Sequence, residues 1–208
     1  MKVYVVLVLF SIHSNLLKTN LVQKSKGRWM LPFKDATIKN NLEDTAYSMV
    51  NDILGHYGGQ SSYIEQLYTF DLEKDKSELM VSYFILLPSS AFVKNGTAGV
   101  ENWFNMDNLP KLSSTDVEIL EYALRRLRWK LEYTNAAYSF LPVYFTLSEL
   151  QMVYEVILGR TLDKRNFRKK MLGLSILSAT GKKKSLGKAR PAEMYKFKNR
   201  KLTYVEVL

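Results

Sequence analysis

Two capped helices and a basic hairpin near the C-terminus constrain the fold of this 208-residue chain more than any other feature. The first helix opens with a capping box, in which the Thr146 hydroxyl can accept a backbone N–H and Glu149 can reach back to the cap. Gly159 is placed to end this helix, and Asp163 can cap a second, basic helix. A hairpin with three consecutive lysines follows Ile176. This order of elements predicts a winged helix-turn-helix, whose second helix enters a major groove of DNA.

The cationic side chains of the predicted winged helix cluster on its second helix and its hairpin. On a helical wheel Phe167, Met171 and Leu174 share one face, which leaves the charged residues on the opposite face and its flank. Arg and Asn suit bidentate contacts to guanine and adenine edges, whereas contacts to phosphates fix the position of a protein on the duplex. The helix residues expected to read or clamp the groove are Lys164, Arg165, Asn166, Arg168 and Lys169. The hairpin residues expected to hold phosphates are Lys182, Lys183, Lys184, Lys188 and Arg190.

The net charge of the chain is confined to the same region. The formal charge is +10, and residues 146–208 contain 15 of the 30 Lys and Arg but only 5 of the 20 Asp and Glu. Residues 1–145 are therefore neutral overall. A neutral body with a strongly basic appendage is typical of nucleic-acid binders, because neutralising phosphates releases counterions. A membrane surface would attract the same charge, but the basic helix needs its narrow apolar face for the core of a small domain, so we expect no membrane partner.

Composition excludes several kinds of site. The chain has no Cys and only two His, His13 and His56, which excludes disulfides and thiolate zinc sites and disfavours a His-based metal site or a Ser–His triad. The apolar run Val3–Phe10 is too short to span a bilayer, and no small-residue cleavage site follows it. A buried strand is the better interpretation, and we expect a cytoplasmic protein with no metal ion and no cofactor.

Residues 1–135 are predicted to form an α/β domain with a mixed sheet. An apolar stripe predicts a helix over Leu42–Leu54, and Ser113 can cap a long helix from about Thr115 to Glu132. Trp29-Met30-Leu31-Pro32 is expected to lead into an irregular loop that runs to about Asn41. The predicted strands are Val3–Ile12, Asn15–Gln23, Ser62–Leu72, Ser77–Leu87 and Val100–Met106. A connector over 136–142 then leads into the winged helix, so the second domain is expected to span 136–208.

The long helix carries apolar residues at alternating steps of three and four. Such spacing can bury a stripe against the body of the domain or join two subunits. The residues are Val117, Leu120, Leu124, Leu127 and Leu131. Because this helix connects the two domains, we expect it to carry the signal between them.

The segment from Trp29 to His56 resembles the Nudix box, a loop and helix that hold divalent cations on a pyrophosphate. Trp29-x-Leu31-Pro32 and the spacing to Gly55 match the family pattern, but its charged positions do not match. The paired glycines of the pattern are Phe33 and Lys34 here, its first Glu is Asn40, its Arg-Glu pair is Ser48-Met49, and its Glu-Glu pair is Asp52-Ile53.

This substitution pattern bears directly on catalysis. A Nudix hydrolase needs carboxylates at helical positions i, i+3 and i+4 to bind its cations, and this helix offers Met49, Asp52 and Ile53. We therefore expect no catalytic residue. The residues expected to contact an effector in this region are Trp29, Phe33, Lys34 and Asp52.

The chain from Ser114 to Phe197 resembles the Nudix-related transcriptional regulators. The resemblance is carried by the long helix, by Phe140-Leu141-Pro142-x-x-Phe145-Thr146-Leu147-x-Glu149-Leu150, by Leu162–Lys170, and by Arg190-Pro191-Ala192-x-x-Tyr195-x-Phe197. It implies a Nudix-like α/β/α sandwich followed by a winged helix, and a homodimeric bacterial repressor or activator. Members of this group sense ADP-ribose-like nucleotides or sugars, and they govern NAD metabolism or sugar-use genes. Two reading heads imply a near-palindromic double-stranded operator.

Two other functions stay open at this point. The chain could be a weak or altered Nudix hydrolase whose basic tail binds RNA or a nucleotide substrate. Alternatively, it could be a binding module that uses the tail on a partner and has neither an operator nor an enzymatic activity. Release of AMP from ADP-ribose or NADH with Mg²⁺ or Mn²⁺ would indicate the hydrolase, and a saturable preference for one operator over random DNA would exclude the binding module.

Overall fold

The chain divides into two compact units, Met1–Arg126 and Leu127–Leu208. The computed structural model describes residues 2–24, 27–36, 41–54, 63–71, 78–92, 102–185 and 191–207. The division falls inside the long helix, and the domain limits 1–135 and 136–208 stay a prediction.

The first unit is built on a mixed six-stranded sheet. Its strands are β1 (Lys2–His13), β2 (Leu16–Asn20), β5 (Phe33–Asp35), β6 (Tyr63–Asp71), β7 (Glu78–Leu87) and β8 (Trp103–Asn105), while β3 (Val22–Lys24) and β4 (Arg28–Met30) form a separate hairpin. The order is β6-β7-β1-β2-β8, with β5 paired to β1. Strand β1 runs parallel to β7 and antiparallel to β2 and β5. The long apolar run of β1 is explained by this central position, because a strand buried on both faces needs no polar alternation.

Two helices cover the two faces of the sheet. Helix α1 (Leu42–Leu54) places Met49 and Val50 in a core cluster with Leu7 of β1 and Tyr83 of β7. Helix α2 (Ser114–Tyr133) lies on the other face, where Arg126 Nη2 donates to Glu65 Oε1 at 3.1 Å. The ring of Tyr122 on α2 also packs against Tyr68 and Phe70 of β6 at 5.5 and 6.0 Å. The predicted Nudix-like α/β/α sandwich is thereby confirmed.

Two predictions for this unit differ from the structure. The single strand expected over Asn15–Gln23 is divided at Leu21 into β2 and β3, which belong to different sheets. The segment after Trp29 was expected to be an irregular loop to about Asn41, but Phe33–Asp35 is strand β5, paired with Tyr4–Val6 of β1. The pairing uses the part of β1 that precedes its contact with β2. Three residues with one apolar side chain give no strand signal of their own, so the free edge of β1 determines this strand.

The second unit is a winged helix. It contains a 3-10 helix over Ala136–Phe140, where a plain connector was expected, and then β9 (Phe145–Thr146), α3 (Leu147–Leu158), α4 (Lys164–Gly173), β10 (Leu177–Lys184) and β11 (Ala192–Phe197). The three strands form one sheet in the order β10-β11-β9. Aromatic rings fill the small core, with Phe145 against Phe197 at 5.1 Å and Tyr154 against Phe167 at 5.4 Å. Among the described residues, no helix is long and apolar enough to cross a membrane.

The last described residues return to the C-terminal end of α2. The Asn135 carboxamide accepts from the backbone of Thr203 at 2.8 Å and donates to the carbonyl of Lys201 at 3.1 Å. The Arg200 guanidinium donates to the carbonyls of Tyr138 and Leu141 at 2.7 and 2.9 Å. The Arg200 bonds give a second donor to the Tyr138 carbonyl, which also accepts from the backbone of Leu141 at 3.4 Å, and a donor to the Leu141 carbonyl just beyond the 3-10 helix.

Candidate functional site

The capping box predicted at the start of α3 is present. The Thr146 hydroxyl accepts from the backbone of Glu149 at 3.2 Å, and Glu149 Oε2 accepts from the backbone of Thr146 at 2.7 Å. At the other end Gly159 adopts φ 69° and donates to the Glu155 carbonyl at 2.9 Å. Both ends of α3 are therefore fixed by local bonds.

The turn between α3 and α4 is held by a side-chain network. Glu155 Oε1 accepts from the backbone of Leu162 and from Gln151 Nε2, both at 2.9 Å. Gln151 Nε2 also donates to the Leu162 carbonyl at 2.9 Å. Since Leu162 directly precedes the cap of α4, this network sets where the basic helix begins.

Helix α4 presents its polar side chains to solvent. Asp163 caps it by accepting from the backbone of Asn166 at 2.8 Å, and Phe167 and Met171 are buried. The five side chains predicted to read or clamp DNA all lie exposed on this helix: Lys164, Arg165, Asn166, Arg168 and Lys169. The structure brings these five together on one element.

One of these residues also lies beside the wing strand. Arg168 lies near Tyr195 of β11, whose hydroxyl donates to Glu193 Oε2 at 3.1 Å. Burial raises the pKa of the Tyr195 phenol, Glu193 raises it further, and Arg168 lowers it. The basic helix therefore places a cation beside the wing strand.

The lysines of the wing differ in their surroundings. Lys183 is exposed and pairs in register with Glu193. Lys182 Nζ lies 5.7 Å from the centre of the Tyr144 ring, while Lys184 Nζ lies 2.6 Å from Glu149 Oε1. Two further predicted phosphate ligands, Lys188 and Arg190, fall outside the described residues.

Glu149 therefore serves both the cap of α3 and the wing. Burial disfavours its charged form, but the hydrogen bonds from Lys184 and from Thr146 outweigh that effect, so the pKa of this carboxyl is lowered. The Lys184 ammonium is committed to this carboxylate, a contact that the charge pattern alone did not reveal.

The residues predicted to contact an effector do not form one site. Phe33 and Lys34 are neighbours on β5, so their side chains point to opposite faces of the sheet. Phe33 packs edge-on against Tyr4 at 5.8 Å. Lys34 Nζ lies 3.3 Å from Asp52 Oδ2 on the α1 side, and both side chains are largely exposed. Trp29 lies elsewhere, against Phe104 at 4.7 Å.

Trp29 lines a cavity of about 670 Å³ in the first unit. Its other lining residues are Lys24, Gly27, Arg28, Met30, Lys111, Leu112, Ser113 and Asp116. The Asp116 carboxylate is held in place, because it accepts from the backbone of Leu31 at 3.3 Å and from the Ser113 hydroxyl at 2.7 Å. Cations around an indole ring suit an anionic ligand that carries an aromatic group. Lys24, Arg28 and Lys111 could not be recognised as a set from the sequence, because Lys111 joins the other two only in the folded chain.

The three helix positions that carry catalytic carboxylates in Nudix hydrolases hold Met49, Asp52 and Ile53 in this chain. Met49 is 5% exposed and belongs to the core cluster, and Ile53 packs against the same cluster. Asp52 is paired with Lys34. In the part of the chain that the structure describes, no three His, Asp or Glu side chains are grouped so that they could hold a metal ion.

Comparison with known proteins gives concordant matches. Residues 137–197 match the family description "NrtR DNA-binding winged helix domain". The "ADPR responsive transcriptional repressor NtrR" of Acinetobacter baylyi is 32% identical over 203 residues, which cover 92% of this chain and 80% of that protein.

Two solved structures are similar over nearly the whole length. The structure of Shewanella oneidensis NrtR complexed with a 27mer DNA is 30% identical with a TM-score of 0.80, and the match covers 94% of this chain and 93% of that one. A second crystal structure of Shewanella oneidensis NrtR is 29% identical with a TM-score of 0.78, and the match covers 95% of this chain and 94% of that one.

Proposed function

The chain belongs to the NrtR family of Nudix-related transcriptional regulators, and from this membership we propose how it binds its operator and its effector. It is a DNA-binding transcriptional regulator in which a Nudix-like unit precedes a winged helix. Its action is repression, as the name of the Acinetobacter relative states for that protein. A repressor of a bacterial chromosome works in the cytoplasm, which is the location we propose.

The exposed polar face of α4 carries the proposal for DNA recognition. Arg165 and Asn166, in the first turn of α4, are assigned to base edges, because the first residues of a recognition helix reach furthest into the groove. Lys164 and Lys169 are assigned to the phosphates that flank them. Arg168, which lies near Tyr195, is assigned to contact the DNA beside the wing strand.

The wing residues divide into two roles under this proposal. Lys183 is exposed and is assigned to a phosphate, and Lys182 is assigned to a second phosphate from its place over the Tyr144 ring. Lys184 is assigned to fasten the wing through Glu149. Lys188 and Arg190 stay predicted phosphate ligands.

The effector is proposed to be ADP-ribose, bound in the cavity lined by Trp29. The name of the Acinetobacter relative supports this ligand, and the lining supports its position. Lys24, Arg28 and Lys111 supply positive charge for a diphosphate, and Trp29 supplies a ring face for a base. The pair Lys34–Asp52 lies outside this cavity and has no part in binding under this assignment.

The Nudix-like unit is proposed to bind without hydrolysing. Hydrolysis of a pyrophosphate needs cations held by several carboxylates of this helix, and two of the three positions are filled by the apolar Met49 and Ile53. The third, Asp52, is engaged by Lys34. Incubation with ADP-ribose and Mg²⁺ or Mn²⁺ is expected to release no AMP, and a steady release of AMP would reopen the hydrolase alternative.

The experiment that tests the proposal is fluorescence anisotropy of the protein on the promoter upstream of its own gene and on scrambled DNA. Measurements at about 50 and 200 mM salt separate specific from electrostatic binding. We expect tight binding to the promoter that survives the higher salt better than binding to the scramble, and release by ADP-ribose. Equal binding to both DNAs, lost alike at high salt, would contradict the proposal for DNA.

Matched variants locate the effector. W29A is expected to raise the concentration of ADP-ribose needed for release by about tenfold or more, because an aromatic anchor in a pocket is worth at least about 1.4 kcal/mol. K34A removes an exposed cation outside the cavity and is expected to leave release unchanged. A loss of response in K34A with an intact response in W29A would move the effector to the Lys34–Asp52 side.

A further inference from the structure

The solvent-facing side of α4 carries one apolar side chain among its cations. The helix buries Phe167 and Met171, and at about 100° per residue four exposed side chains fall within an arc of about 100° on the opposite side. They are Arg165, Arg168, Lys169 and Leu172. Three of them are cations that the proposed function assigns to DNA. Leu172 therefore lies on the side of a recognition helix that meets the major groove.

The position of Leu172 carries more information than its exposure. The side chain is 43% exposed, but single exposed leucines are common on protein surfaces and by themselves indicate no role. Leu172 follows Arg165 by two helical turns, which is about 10.5 Å along the helix axis. Successive base pairs are about 3.4 Å apart. A helix lying in the major groove thus brings Leu172 near a base about two or three pairs from the base that Arg165 reads.

The neighbouring Gly173 leaves this end of the helix uncovered. Gly173 belongs to α4 and has no positive φ, so the backbone does not require glycine there. A Cβ at this position would meet nothing within 4 Å, so the packing of the chain does not require glycine either. Glycine also makes a helix less stable than alanine does. The open space at Gly173 instead suits the close approach of another molecule.

An open groove of about 530 Å³ lies along the same flank of α4. Its lining residues are Asn166, Lys169, Lys170, Gly173 and Leu174. The two lysines match the negative charge of a DNA strand. The last turn of a helix carries a partial negative charge, however, which disfavours a phosphate next to it. An apolar contact with a base edge therefore suits the C-terminal end of α4 better than a phosphate contact does.

We propose that Leu172 reads a thymine of the operator by packing against its methyl group in the major groove, and that Gly173 provides the clearance for this contact. Thymine is the base that an apolar side chain selects, because its methyl group is the apolar feature that the major groove displays. The inference rests on the proposed role of α4 as the recognition helix. It adds a base preference that the cations of α4 do not supply, since their contacts are hydrogen bonds and ion pairs.

Replacement of thymine by deoxyuridine tests the contact, because the two bases pair alike and differ only in the methyl group. In uracil interference, each molecule of the promoter upstream of the gene carries a single deoxyuridine at a varied position, and the positions that weaken binding are identified in the unbound fraction. We expect the full-length unmodified protein to show interference at one thymine for each bound α4, and L172A to lose it. L16A removes a leucine of 40% exposure on β2 and is expected to keep the interference.

Duplexes with one deoxyuridine at the identified position give the size of the effect. The substitution should weaken binding of the unmodified protein about fourfold, which corresponds to about 0.8 kcal/mol for burial of one methyl group. L172A should bind the thymine and deoxyuridine duplexes alike. L16A should show the same difference between the duplexes as the unmodified protein, so that the double-mutant cycle assigns the methyl contact to Leu172.

G173A tests the clearance with a variant whose stability and DNA affinity should change in opposite directions. Alanine is a better helix former than glycine, and its Cβ would meet nothing in the free protein, so the Tm should equal or exceed that of the unmodified protein. Binding to the promoter should nevertheless weaken about fivefold or more, as for a close contact overpacked by about 1 kcal/mol. An unchanged promoter affinity would contradict the close approach of DNA at this position.

Failure of this inference is distinguishable from failure of the proposed function. A methyl effect that persists in L172A, or no methyl effect at any thymine, would overturn the reading of thymine by Leu172 even when the protein prefers its promoter to scrambled DNA. Absence of any preference for the promoter would contradict the proposed function, and the inference with it. A Tm of L172A close to that of the unmodified protein would show that the loss of the methyl effect comes from the contact and not from the fold.

Discussion

Removing the charge of Lys183 or of Lys184, two adjacent residues of the wing, is expected to affect folding stability and DNA binding differently. Lys184 is 40% exposed and is paired at 2.6 Å with Glu149, which is 28% exposed. An ion pair this open to solvent contributes about 0.5–1 kcal/mol to folding, near the upper end of the range for surface pairs. K184M should therefore lower the Tm by about 2–8 °C, given the entropy of unfolding of a small domain. K183M, at an exposed position, should change stability by less than about 0.5 kcal/mol.

In DNA binding, K183M is expected to have the larger effect and K184M the smaller one. Removing one phosphate contact reduces the slope of log K against log salt by about 1, and this is the result expected for K183M. K184M should leave the slope unchanged, because the Lys184 ammonium of the unmodified protein is held by Glu149 and contacts no phosphate. Calorimetry and salt-dependent anisotropy on the same preparations give both quantities. A double-mutant cycle with E149Q should recover a coupling of about 0.5–1 kcal/mol between residues 149 and 184.

Two combinations of results would contradict these roles for Lys183 and Lys184. If K184M lowered the salt slope and left the Tm unchanged, Lys184 would be a phosphate ligand, and its contact with Glu149 would contribute nothing to stability. If both lysines behaved alike in both assays, the structural difference between them would have no functional meaning.

Three further predictions concern the recognition helix, the capping carboxylate and the C-terminal segment. R165A should weaken binding to the operator by about 1–3 kcal/mol and binding to scrambled DNA much less, as competition anisotropy would show; equal losses would end its role as a base reader. The pKa of Glu149 is lowered from 4.5, so its charge stabilises the fold above about pH 4.5, and this stabilisation is lost as pH falls through the lowered pKa. The free energies of unfolding of E149Q and of the unmodified protein should therefore converge as pH falls from about 6 to 3. A difference in free energy that stays constant over this range would contradict this. N135A should cost about 1–3 kcal/mol in urea unfolding, because it leaves the backbone N–H of Thr203 without its acceptor; a change within about 0.5 kcal/mol would show that water replaces the bond.

The fold was largely predictable because its main signals are local. The capping box at Thr146, the glycine at the end of α3 and the apolar stripe of α1 each depend on residues within a few turns of chain. Helix α1 has the predicted bounds, Leu42–Leu54. The exception, β5, is a strand only because β1 has a free edge beside it, and pairing of that kind is not encoded in three residues.

The cavity and the division of the wing lysines could not be predicted for a related reason. Lys24 and Lys111 meet across the folded unit, and nothing in their local sequence connects them. In the wing, the register shifts between Ala179 and Lys183, and Gly181 adopts φ 70°. Because a shift of one residue exchanges the two faces of a strand, a run of three lysines does not show which one turns inward.

The packing of Met49 with the other apolar residues of α1 in the core restricts which side chains position 49 can carry. A glutamate at this position would be a charge 5% exposed among Ala46, Val50 and Leu7, and an unpaired buried carboxylate costs several kcal/mol. That cost is a large fraction of the roughly 5–15 kcal/mol by which a protein is stable, so a glutamate at this position is expected to weaken the fold. The packing of this helix therefore disfavours a carboxylate at position 49 through the stability of the core itself.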